Sequence, residues 1–201
     1  MRIRKHHIAR GKLLLRIMKQ SSRVLYALTG PPGCGKTTAI LKIVDSLKRC
    51  GVKVDGMYTA EIRERGRRIG FSVIRISGGR GVLAHVRLSR GPRHGKYFVN
   101  LIDLESIGVS AILDGLRNAD VVVVDEVGPM ELYSEKFREA VEELLASNKH
   151  AIMTVHYRSR DPLVIKVKKT AGKNLITLTP ENRDRVPQEI INVVLGALGK
   201  R

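Results

Sequence analysis

The chain contains no tryptophan, three phenylalanines, five tyrosines and two cysteines in 201 residues. Each shortage removes a class of protein. So few aromatic side chains leave no interleaved stacking surface of the kind that reads nucleic-acid sequence, and no RNA-binding signature is present. Two cysteines do not make a disulfide framework. Cys34 and Cys50 flank a predicted helix, whose rise separates them by about 24 Å, far beyond disulfide reach. Free thiols imply a reducing compartment and a cytoplasmic protein. No apolar run approaches the ~20 residues of a membrane span. The charged N-terminus is not followed by the apolar stretch and small-residue cleavage site of a secretory signal. His6, His7, His85, His94, His150 and His156 are scattered, without zinc spacing. Internal repeats and low-complexity segments are absent.

Acidic residues are also in short supply. Nineteen Asp and Glu face thirty-seven Lys and Arg, for a net charge of +18. Residues 1–23 carry eight Lys/Arg and no acid, and residues 63–96 carry ten more. A basic surface predicts attraction to phosphate-rich partners, RNA among them. Residues 1–22 read as a basic N-terminal extension, in which Leu13-Leu14-Leu15, Ile17 and Met18 form one side of a short amphipathic helix. The extension is Arg-rich like a mitochondrial transit peptide, but it is poor in serine. Met18, six residues before the first predicted strand, offers an alternative start of translation. Residues 23–201 are enough for a single α/β domain with a full core.

Within that domain, Gly30-Pro31-Pro32-Gly33-Cys34-Gly35-Lys36-Thr37 matches G-x-x-x-x-G-K-[ST], the phosphate-binding P-loop. Its glycines let backbone N–H groups turn inward around an anion. The lysine reaches the β- and γ-phosphates, and the threonine hydroxyl holds Mg²⁺. The next residue, Thr38, belongs to the same nucleotide-binding set. Val24 to Thr29 is apolar and β-prone, and residues 38–47 show apolar positions at helical spacing, with Gly51 at the C-terminal position. Strand, glycine loop and helix are the context the motif requires, and the helix N-terminus adds its partial positive charge.

Further along, Val52 to Ala60 predicts a second strand, Arg65-Gly66-Arg67 a turn, and residues 69–76 a hairpin return. Residues 82–88 read as another strand and Gly91 to Gly95 as a loop. Helical periodicity runs over 101–116, interrupted at Gly108. Ser134 caps a helix ending near Ala146, and Asp161-Pro162 opens another in the usual cap-then-proline order. Residues 151–155 and 175–178 are strands, and residues 186–198 a last helix.

Val121-Val122-Val123-Val124-Asp125-Glu126 is the second strong signal. Four apolar residues ending in an acid form a Walker B pattern, which places Asp125 to hold Mg²⁺ and Glu126 to polarise an attacking water. An adjacent Asp-Glu pair is typical of P-loop proteins with another strand between the P-loop and Walker B strands. Residues 151–156 are the candidate for that strand, which would bring Thr154 or His156 to the γ-phosphate.

Asp125-Glu126-Val127-Gly128-Pro129-Met130-Glu131-Leu132 resembles the signature of the THEP1 family of nucleoside-triphosphatases. Tyr58-Thr59, Glu61-Ile62-Arg63, Gly70-Phe71, Gly91 to Tyr97, Val99-Asn100-Leu101, Ser134 to Phe137 and Glu181 to Asp184 match in order, so the resemblance spans roughly residues 23–195. It implies a P-loop NTPase of the ASCE/RecA-like kind: an α/β fold with a mostly parallel sheet flanked by helices, and an inserted β-hairpin region near residues 58–90. It also implies Mg²⁺-dependent hydrolysis of several nucleoside triphosphates to diphosphate and phosphate, with Lys36 and Glu126 catalytic and Thr37 and Asp125 on the metal. The extension at 1–22 departs from the family's usual start. Of the arginines that could steady charge on the transferred phosphoryl group, Arg63 and Arg93 lie in family-like stretches, while Arg158 and Arg160 do not. Asn182 and Arg183 follow the last strand, where many P-loop proteins approach the base. Two other readings remain open at this level. One is a nucleotide or polynucleotide kinase, with an acceptor hydroxyl in place of water. The other is an RNA-associated protein gated by nucleotide.

Overall fold

A computed structural model describes residues 23–200. The basic extension, its amphipathic stretch and Met18 lie outside the described residues. Nine strands form one sheet: β1 (Leu25–Thr29), β2 (Val54–Glu64), β3 (Arg67–Arg75), β4 (Arg80–His85), β5 (Arg93–His94), β6 (Tyr97–Val99), β7 (Val121–Val127), β8 (His150–Val155) and β9 (Leu175–Thr177), in the order β5-β6-β4-β3-β2-β7-β8-β1-β9. Five strands, β2, β7, β8, β1 and β9, run parallel, as their helical crossovers require. The remaining four add antiparallel at the β2 edge. β8 lies between β1 and β7, the position the adjacent acidic pair implies.

Period-two burial explains the layering. In β7, Val122 and Val124 face one core while Val121 and Val123 face the other, and all four are fully buried. Each contributes about 1.5–3 kcal/mol of burial. Helices α1 (Lys36–Arg49) and α5 (Val186–Ala197) cover the second face through Ile40, Ile43, Ile190 and Val194. Helices α2 (Ser110–Asn118), α3 (Glu135–Ala146) and α4 (Pro162–Ala171) cover the first through Ile112, Phe137 and Val164. The caps read from sequence form. Ser134 accepts from Phe137 N at 3.2 Å, and Asp161 accepts from Leu163 N at 2.9 Å.

Several boundaries differ from the sequence reading: β2 starts at Val54 and runs on to Glu64 instead of ending at Ala60, and β4 spans Arg80–His85 instead of 82–88, because the chain turns at Val86. The helical run over 101–118 is not broken at Gly108. It passes through a π-helical segment, Leu104–Val109. A side-chain carbon on Gly108 would stand 2.8 Å from Met57 Sδ and 3.1 Å from Val73 Cγ2, so glycine there serves a close approach to β2 and β3. The loop expected at 91–95 contains β5, which pairs with β6. The antiparallel region is also larger than a hairpin near 58–90, because its hydrogen bonding continues through β6 to Val99. The short lengths of β5 and β6 gave no periodicity to read.

Candidate active site

The loop between β1 and α1 takes the conformation its glycines permit. Gly30, Gly33 and Gly35 have φ of 147°, 77° and 105°. Cys34 N donates to Pro31 O at 3.2 Å, and Cys34 is buried and unbridged. The loop forms one wall of a cleft of about 490 Å³, whose opposite wall comes from β2 and β3 through Tyr58, Glu61 and Phe71. Glu126 and His156 sit at the carboxyl ends of β7 and β8 and line the same cleft.

Lys36 Nζ donates to Gly30 O at 3.1 Å and stands 3.6 Å from Glu126 Oε2. Burial pushes the Glu126 carboxyl above its ordinary range, and the Lys36 ammonium pulls it back. Asp125 is 1% exposed. Its pKa is pushed up to about 6, first by burial and then by Glu126, against hydrogen bonds from Thr154 and Thr37 and the charge of Lys36. Thr154 Oγ1 donates to Asp125 Oδ1, while Asp125 Oδ2 has no hydrogen-bond partner. A buried carboxylate oxygen without a partner, beside a threonine hydroxyl, is a donor set that suits a hard divalent cation.

The other sequence candidates fall into two groups. His156 reaches the cleft. Its Nδ1 is buried without a partner, and burial together with Lys36 lowers its pKa, which favours the neutral ring. Thr154 is fully buried and engaged with Asp125. Arg183 flanks the loop on the β9 side, sharing a smaller depression with Gly35, Thr38 and Lys42. Asn182 ties the turn after β9, donating to Thr177 O and accepting from Thr179 N, both at 2.9 Å. Arg63 and Arg93 are outside the cleft lining. Arg63 pairs with Glu61 at 2.6 Å, and Arg93 Nε donates to Gly95 O at 3.0 Å.

Two carboxylates carry more than the sequence reading gave them. Glu61 lines the cleft and holds both Arg63 and Arg68. Glu131 is 4% exposed, in the 3₁₀ turn Glu131–Tyr133 just after β7. Both lie inside the family-like stretches, and that membership was the only sequence signal for them.

A family model described as NTPase matches residues 25–191. A nucleoside-triphosphatase THEP1 from Methanosarcina acetivorans is 46% identical over 175 residues, covering 86% of this chain and 98% of the relative. One from Thermotoga petrophila is 45% identical, covering 83% and 90%. The crystal structure of THEP1 from Aquifex aeolicus superposes with a TM-score of 0.76 at 31% identity, covering 85% of this chain and 99% of that one. The solution structure of a human cancer-related nucleoside triphosphatase gives 0.70 at 38%, covering 86% and 98%. Such likeness in sequence and backbone, over nearly the full length of each relative, means that the chain belongs to the THEP1 nucleoside-triphosphatase family.

Proposed function

We propose that this protein is a Mg²⁺-dependent nucleoside-triphosphatase, converting ATP, GTP and other nucleoside triphosphates to diphosphate and phosphate with little base preference. The observation that carries the reading is the meeting of Lys36 and Glu126, 3.6 Å apart, at one end of the P-loop cleft. A phosphate-binding cation and a desolvated carboxylate there can act on the same phosphoryl group.

The loop amides between Gly30 and Thr38 bind the phosphates, and Lys36 neutralises charge that builds on the transferred group. Thr37 and Asp125 are the residues that would hold Mg²⁺, which supplies neutralisation of the phosphate oxygens when bound. Glu126 accepts a proton from the attacking water, with a basicity raised by burial. Neutral His156 stands on the same side of the cleft and can orient that water. Relatives named as triphosphatases do not favour the kinase or RNA-switch readings.

No helix among the described residues is long and apolar enough to cross a membrane, and both cysteines are unbridged, which supports placement in the cytoplasm. RNA is a candidate partner for the exposed arginines of the β2–β3 turn, Arg65 and Arg67. Such binding would weaken steeply with salt.

Glu126→Gln tests the central assignment. It is expected to keep nucleotide affinity and lower turnover by about 10²–10⁴-fold, the usual worth of a general base. Turnover equal to wild type would overturn it. Phosphate release measured with ATP, GTP, CTP and UTP tests the breadth of substrate.

A further inference from the structure

Glu131 has no place in the mechanism above, yet it is one of the most buried charged side chains of the domain. It follows β7 by one tight turn, in which Leu132 N donates to Gly128 O at 3.0 Å. That turn folds Glu131 back beside the end of the strand. A side-chain carbon on Gly128 would stand 3.1 Å from Glu131 Oε2 and 3.3 Å from Glu126 Oε1. Both carboxyl groups therefore press against the same side of Gly128. On its other oxygen, Glu126 meets Lys36. Glu126 thus has an ammonium near one carboxyl oxygen and, at its other oxygen, shares the flank of Gly128 with a second carboxyl group.

We propose that Glu131 is a positioning residue for hydrolysis: packed with Glu126 against Gly128, it fixes where the Glu126 carboxylate sits in the cleft. The inference rests on the reading of Glu126 as the group that activates water. Three neighbouring acids would repel one another if all were ionised. Burial, reinforced by Glu126 and Asp125 and opposed by hydrogen bonds from its own backbone N–H and that of Gly128, pushes Glu131 up to about 8, which favours the neutral acid near pH 7. A neutral group of that shape can back the Glu126 carboxylate without adding charge. A displacement of about 1 Å at a reacting group can cost 10²-fold in rate, so a backing residue has leverage on turnover.

The test compares steady-state kinetics of the full chain with thermal melts. Glu131→Ala is expected to lower kcat by about 10–100-fold while KM stays within about threefold. Glu131→Gln, neutral and of the same shape, is expected to recover most of that loss. In a Glu126→Gln background, Glu131→Ala is expected to add nothing, because the residue acts through Glu126. Wild-type kcat in Glu131→Ala would overturn the proposal. So would a Gln variant as impaired as the Ala variant, or additive losses in the double variant. If Glu131→Ala does not fold, Gly128→Ala takes its place. It leaves Glu131 present but crowds both carboxyl groups, and full activity in that variant would count against the proposal. The two assignments fail separately. An inactive Glu126→Gln beside a silent Glu131→Ala removes only the positioning role, and an active Glu126→Gln removes the base itself.

Discussion

The two halves of the sheet are built for different work. The parallel half, β7, β8, β1, β9 and β2 as far as Tyr58, is sandwiched between helices on both faces, and β1, β7 and β8 are mostly apolar until their carboxyl ends. There they release Asp125, Glu126 and His156 beside the P-loop. The antiparallel half, β3 to β6 with the outer part of β2, is dominated by arginines paired with few acids, such as Arg68 with Glu61 and Arg87 with Glu64. It contributes walls to the cleft through Phe71 and through Glu61, whose charge is held by Arg63 and Arg68. Parallel strands need crossover helices, and those helices bring N-termini and strand ends to one edge. Hairpins do not, so the antiparallel half shapes the site and brings to it a carboxylate, Glu61, that is already paired with arginines.

The largest expected effect lies in the parallel half. Lys36→Ala removes the ammonium that joins the loop to Glu126 and should lower turnover by at least about 10²–10³-fold, with a raised KM. Arg63→Ala and Arg93→Ala, measured in the same phosphate-release assay, should stay within about threefold of wild type. A loss from Arg63→Ala as large as that from Lys36→Ala would break the contrast. It would show that the β2–β3 hairpin swings an arginine onto the phosphoryl group.

Stability should divide along the same line. Ile152, fully buried in β8, packs into the core under α1 and α5. Ile152→Ala should cost about 2–5 kcal/mol in denaturant unfolding. Ile62, half-buried on the outer part of β2, should cost well under half of that when cut to alanine. Equal losses would mean that the antiparallel half carries as much of the cooperative core as the parallel half does.

Acidity offers a further way to sharpen the comparison, because the groups pushed furthest from their ordinary range sit at the end of β7. Glu131 rises from 4.5 to about 8 and Asp125 from 3.8 to about 6. Between the ordinary and folded values, the folded chain holds protons that the unfolded chain has released. Stability therefore falls as pH rises through that window, and the favourable contribution is gone above about pH 8. Melting temperatures of the Mg²⁺-free protein should decline from pH 5 to 8, and Glu131→Gln should flatten the decline. An unchanged slope would place the pH sensitivity elsewhere.

How much of this was legible in the sequence follows the same division. The parallel half announced itself. Gly30 to Thr37 and Val121 to Glu126 are local patterns whose chemistry depends on adjacent residues, and the order Asp125-Glu126 implied β8 between β1 and β7. The antiparallel half was blurred. β5 is two residues long, and the run at Gly108 turns π-helical instead of stopping, because what decides its path is contact with Met57 and Val73. Glu131 was visible as a letter in a signature, but its burial depends on a turn that folds it back on Gly128. Arg63 and Arg93 look equally available in sequence, and the local path of the backbone turns each to a partner two residues away, Glu61 and Gly95.

The smallest expected effect comes from the arginines themselves. Arg87 and Glu64 are 68% and 49% exposed in their side chains, so their ion pair is screened and costs ordering entropy. Arg87→Ala should change stability by no more than about 0.5 kcal/mol, and less at high salt. The useful comparison is Arg138, which pairs with Asp161 at 2.7 Å, donates to Leu132 O at 2.8 Å, and is about a quarter exposed. It ties α3 to the cap of α4 and to the turn that carries Glu131. Arg138→Ala should therefore cost more than Arg87→Ala, and it should lower turnover as well if that turn sets the position of Glu126. Identical small losses from both arginines, with no change in kcat for either, would show that ion pairs in the two halves are equally dispensable. They would also show that the turn holds its shape through its own backbone bond to Gly128.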